Sequence, residues 1–99
     1  MEEHAIFVGI DVSKRQLDVA VRPQGRAFSA ANHPRGIAKV AKVLTELRPA
    51  SIVVEASGGL ERQLVYGLAS AGLTVAVVNP RQARNFAKSL GLRGQDRRD

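Results

Sequence analysis

Two short apolar runs, each closed by an acid, constrain the fold of this 99-residue chain more than any other feature. Residues 5–11 are almost continuously apolar up to Asp11, and Ser51, Ile52, Val53 and Val54 lead into Glu55. Runs of this kind predict strands in the interior of a sheet, covered on both faces. Between them, Leu17, Val19 and Val21 alternate with Asp18, Ala20 and Arg22, the pattern of a half-exposed strand. "RPQGR" at 22–26 supplies a turn and "AFSAAN" at 27–32 a weaker third strand, so residues 5–32 predict an antiparallel meander.

Asn32, His33 and Pro34 break the strand, after which Ile37, Val40, Ala41, Leu44 and Leu47 recur at helical spacing until Pro49. The spacing predicts a helix over residues 35–48. Leu60, Leu64 and Leu68 mark a second helix that Gly72 ends, with Ser57 as its expected N-terminal cap. "LTVAVV" at 73–78 is a further strand; Asn79 and Pro80 then cap a last helix bearing Ala83, Phe86, Ala87 and Leu90. The order βββαβαβα describes one α/β domain, a mixed five-stranded sheet with helices on its faces.

If the two acid-ended strands run parallel in mid-sheet, their carboxyl ends meet at one edge, where open α/β sheets place ligands. Asp11 and Glu55 would then be neighbours, and two adjacent carboxylates repel and lose solvation unless a cation lies between them. Asp96 and Asp99 have a spacing that puts both on one face of a helix. Four oxygen-ligand acids and no cysteine point to a hard cation, Mg²⁺ or Mn²⁺. The plainer alternative is that a strand-end acid caps a turn and a terminal Asp pair is simply solvated. Ser13 and Lys14, directly after Asp11, suit a phosphate contact or a tight turn. Gly58 and Gly59 suit a close backbone approach or the turn into the helix, Asp18 reads as a surface residue, and His4 and His33 read as structural.

With 15 Lys+Arg against 9 Asp+Glu, the chain carries a formal charge of +6. That excess favours a polyanionic partner, nucleic acid first. It is concentrated late, at Arg81, Arg84, Lys88, Arg93, Arg97 and Arg98, where a solvated helix face is the alternative. The absence of cysteine excludes disulfides and thiolate metal sites. No apolar run approaches the roughly 20 residues of a membrane span, and the acidic start is unlike a signal peptide, so the default expectation is a cytoplasmic protein without membrane contact.

"GIDVSKRQLDVAV", "VVEASGGLE" and "VVNPRQARNFAKSLG" followed by "DRRD" together resemble the N-terminal DEDD domain of insertion-sequence transposases of the IS-one-ten type, a family that includes the pilin-gene invertases. The resemblance implies an RNase H-like, RuvC-like fold. It implies a divalent-metal site formed by Asp11, Glu55, Asp96 and Asp99, and metal-dependent cleavage and transfer of DNA phosphodiesters. It also implies backbone contacts to nucleic acid by the basic last helix, at Arg81, Arg84, Lys88 and Arg93, to which Lys14 adds a candidate contact by its place after Asp11. In this family the domain works with a C-terminal domain carrying a nucleophilic serine, and related elements are guided by a structured RNA; separately, a homo-oligomer is expected because a cut domain would expose surface that a second copy can cover. Gly94 and Gln95 stand where the family usually has Lys-Thr, and the sequence stops at Asp99. The expectation is therefore a catalytic domain cut at its C-terminal end, folded but inactive alone. Two other functions compete. A basic nucleic-acid-binding or dimerisation module would act without metal. An actin-like or sugar-kinase phosphotransferase shares the topology, but its phosphate loop resembles Asp-x-Gly-Thr, whereas this chain has Asp11-Val12-Ser13-Lys14 and lacks the glycine.

Overall fold

The computed structural model describes residues 5–81. The antiparallel meander comprises β1 (Phe7–Val12), β2 (Gln16–Arg22) and β3 (Arg26–Ala31). It is followed by α1 (Pro34–Leu47), β4 (Ser51–Glu55), α2 (Arg62–Ser70) and β5 (Ala76–Val78). The expected last helix begins at Pro80 and Arg81, and the rest of it lies outside the described residues. The five strands form one sheet in the order β3-β2-β1-β4-β5, with β1, β4 and β5 parallel. The mixed α/β sheet expected from the sequence is therefore present.

Register follows from burial. Val8, Ile10 and Val12 of β1 pair with Val21, Val19 and Leu17 of β2, and Val8 and Ile10 pair with Ile52 and Val54 of β4. All of these side chains are buried and join Ile37, Val40 and Leu44 of α1 and Leu64 and Leu68 of α2 in one core. Since β3→α1→β4 and β4→α2→β5 join parallel strands and step in the same direction along the sheet, crossovers of the usual right hand place both helices on the same face. The two described helices, α1 and α2, therefore share one face of the sheet. β1 is central, but its burial alternates, with Gly9 and Asp11 exposed between buried neighbours. Among the described strands, β4 alone is buried at three consecutive positions, Ile52 to Val54.

The ends of α1 are set locally. His33 Nδ1 accepts the Arg35 backbone N–H at 3.2 Å, and Pro34 occupies the first turn, where a missing N–H costs nothing. At the other end, Arg48 turns into the left-handed region ahead of Pro49 while its N–H still donates to the Leu44 carbonyl at 3.1 Å. The start of α1 sits directly on the end of β3: a Cβ on Gly36 would meet the Ala31 carbonyl oxygen and lie 2.7 Å from its carbonyl carbon and 2.8 Å from its nitrogen. Backbone cannot yield as a flexible side chain does. Gly36→Ala is expected to lower unfolding free energy by about 1–3 kcal/mol, measured by urea denaturation; unchanged stability would show that this junction is looser than described.

Candidate metal centre

The β1–β4 ladder ends at the pair Ile10 and Val54, so Asp11 and Glu55 are the next residues on two adjacent parallel strands. Side chains of register partners share a face, and the alternation puts both acids on the face that α1 and α2 leave open. Asp11 is exposed and Glu55 half-buried. The structure therefore brings together the two acids read from the strand ends.

A third carboxylate joins them in the same row. Asp18 of β2 is the register partner of Asp11, and Ser29 of β3 is the partner of Asp18. The row across the open face thus reads Ser29, Asp18, Asp11, Glu55. Asp18 is on the surface, as expected, but its setting is specific: Oδ1 accepts hydrogen bonds from Gln16 Nε2 at 2.8 Å and from Ser29 Oγ at 2.7 Å. These two donors, Gln16 first, hold its carboxyl below the ordinary Asp range. Only the pairing register reveals the juxtaposition with Asp11; the alternating pattern of β2 shows that Asp18 points away from the core, but not what stands opposite.

The turn after β1 is held by Ser13. Ser13 Oγ donates to the Gln16 carbonyl at 3.1 Å and accepts the Gln16 N–H at 3.3 Å, so its hydroxyl closes the turn. Lys14 is exposed in that turn, and Arg81 is exposed beyond the end of β5, so the two cations follow strands on either side of β4 at the carboxyl edge.

The segment after β4 departs from expectation. Ser57 does not cap α2, which begins at Arg62 with Glu61 as the preceding residue. Gly58 and Gly59 both adopt positive φ, 67° and 103°, which unwinds the segment and delays the helix. Glu61 Oε1 closes the loop by accepting the N–H groups of Ser57 at 2.8 Å and Gly59 at 3.1 Å. Those bonds, the one from Ser57 largest, lower the Glu61 pKa.

Carboxylate oxygens on one face suit a hard divalent cation, so the donor chemistry fits. The sheet supplies a partial set: among the described residues no three His, Cys, Asp or Glu side chains converge closely enough to hold an ion. Asp96 and Asp99, and the basic residues Arg84, Lys88 and Arg93, lie outside the described residues. Among the described residues no helix is long and apolar enough to cross a membrane.

The open mixed sheet with its helices has a RuvC-like fold. RuvC of T. thermophilus, solved in complex with Holliday junction substrate, has a similar fold, with a TM-score of 0.57 at 20% identity over 97% of this chain and 85% of that one. The family model described as a transposase of the DEDD, IS110 type matches residues 8–99, and the chain belongs to that family. More distant likenesses are YeaZ from Pseudomonas aeruginosa and an Aquifex aeolicus member of the Ppx/GppA family. The first has a TM-score of 0.45 and 22% identity, covering 89% of this chain and 50% of that one. The second has a TM-score of 0.47 and 16% identity, covering 84% and 38%. No curated protein matches the sequence.

The Asp18 network gives a pH prediction. Because its folded pKa is depressed, Asp18 contributes stability that is present above its unfolded pKa and lost as pH falls through the folded one. Carboxyl-detected NMR titration should place Asp18 below the ordinary value of 3.8 and show it rising in Gln16→Ala and, less, in Ser29→Ala. An Asp18 that titrates at the ordinary value in the wild type would contradict the network.

Proposed function

We propose that this chain is the metal-dependent catalytic domain of a DNA transposase, in which Asp11 and Glu55 form the sheet-borne half of a four-acid centre. The observation that carries this reading is the parallel β1–β4 register, which sets the two acids side by side on the face opposite α1 and α2. Asp96 and Asp99 are assigned the other half. Mg²⁺ or Mn²⁺, when bound, would polarise the scissile phosphodiester and lower the pKa of an attacking hydroxyl.

The chain's own contributions are binding and orientation. Asp11 and Glu55 offer oxygen donors fixed by strands, a more rigid mounting than loops provide. Lys14 and Arg81 are assigned to backbone phosphates flanking the acids, with Arg84, Lys88 and Arg93 extending that contact. Such contacts position DNA without reading its sequence and weaken with salt. The substrate class is DNA, and the junction DNA held by the RuvC relative makes branched DNA the natural first ligand. Strand transfer is assigned jointly to this domain and the serine-bearing domain that the family resemblance implies, with a structured RNA and a second copy of the protein as further partners.

The test is a Mn²⁺ titration of ¹⁵N-labelled protein followed by NMR. Selective broadening of the amides around Asp11 and Glu55, abolished in Asp11→Asn, is expected. Broadening spread over the acidic surface and unchanged in Asp11→Asn would overturn the assignment and favour a metal-independent nucleic-acid-binding module.

A further inference from the structure

The β1–β4 ladder stops at Ile10 and Val54, one residue short of the acids. Beyond that point the two strands are joined by side chains instead. Ser57 lies two residues past Glu55, and its hydroxyl donates to the carbonyl of Val12, the residue after Asp11, at 3.0 Å. The same oxygen lies 3.3 Å from the Glu55 carbonyl. A hydroxyl has one proton to give, and the shorter contact is the one that crosses to β1. Asn32, at the end of β3, makes a second crossing. Its Nδ2 donates to the Ser13 carbonyl at 3.0 Å and to the Leu60 carbonyl at 3.3 Å, tying the turn after Asp11 to the loop after Glu55. Its own N–H donates to the Arg15 carbonyl at 3.0 Å, anchoring Asn32 to that same turn.

These bonds fix more than loop shape. Two acceptors determine which way the Asn32 amide faces: its nitrogen meets both carbonyls, and Oδ1 is buried with no hydrogen-bond partner among the described residues. The positive φ of Gly58 and Gly59, with the Glu61 carboxylate holding the Ser57 and Gly59 N–H groups, bends the chain back so that the Ser57 hydroxyl reaches β1 instead of entering a helix. Asp11 and Glu55 are thereby bracketed, by backbone pairing on one side and by the Ser57 and Asn32 crossings on the other. Neither Ser57 nor Asn32 adds a charge or a carboxylate to the site.

We infer that Ser57 and Asn32 are positioning residues: they hold the ends of β1 and β4 at the separation at which the Asp11 and Glu55 carboxylates share one divalent cation. This inference rests on the metal-centre reading above, which the wild-type protein tests by itself.

The experiment measures the Mn²⁺ dissociation constant from broadening of the Asp11 and Glu55 amides in the 99-residue chain, alongside thermal stability. Ser57→Ala and Asn32→Ala should each weaken Mn²⁺ binding on the order of tenfold, as loss of residues supporting metal ligands commonly does. Ser57→Thr, which keeps the hydroxyl, should restore the affinity. Ile37→Val, a truncation in the buried core, should lower stability and leave the affinity unchanged, which separates positioning from general destabilisation. Should Asn32→Ala fail to fold, the contrast between Ser57→Ala and Ser57→Thr decides. Wild-type affinity in Ser57→Ala, or an equal loss in Ile37→Val, would overturn the inference while leaving the metal centre in place. Absence of Asp11-dependent broadening in the wild type would overturn the metal centre, and this inference with it.

Discussion

The pairing of β1 with β4 is the constraint on which the rest of the structure depends. It is set by apolar burial, because Val8 and Ile10 must face the core together with Ile52 and Val54. A slip of one residue would turn Asp11 toward the helices and Ile10 toward solvent, which the core forbids. A slip of two would preserve the faces but displace one acid by about 6.6 Å along the strand. The core thus specifies the site although no core side chain belongs to it. Val54, fully buried, and Glu55, beside it, show how closely the two roles adjoin.

The second constraint is topological. Both described crossovers move the chain the same way along the sheet, so α1 and α2 share a face and the opposite face keeps a polar row. Placing carboxylates on adjacent strands is unfavourable in itself, since like charges directly opposite each other destabilise a sheet. The Asp18 setting tempers this, because Gln16 and Ser29 hydrogen bonds favour its charged form. A row of carboxylates on one face offers the oxygen donors that a hard cation takes. Membership in the transposase family and the RuvC-like fold agree with that chemistry.

Much of the fold was legible because burial writes a period into the sequence. The alternation Leu17, Val19, Val21 and the helical spacing from Ile37 to Leu44 each identify an element correctly. Asp11 and Glu55 were legible as a pair because each follows a run that only a strand explains. The misreadings have local causes. Ser57 looks like a cap because serine before a leucine-rich helix usually is one, yet two positive-φ glycines push the helix to Arg62 and redirect the hydroxyl to Val12. "LTVAVV" forms a strand only from Ala76, because Leu73 still donates to the Leu68 carbonyl and belongs to the exit from α2. Asp18 opposite Asp11, and Asn32 between Ser13 and Leu60, depend on residues distant in sequence and carry no local signal.

The central claim is that the sheet presents Asp11 and Glu55 jointly to one divalent cation. Its most direct test is a crystal structure of the protein grown with Mn²⁺, with diffraction recorded at the manganese edge. An anomalous peak shared by the Asp11 and Glu55 carboxylates is the predicted result. A well-ordered β1–β4 edge with manganese bound only elsewhere would contradict the account.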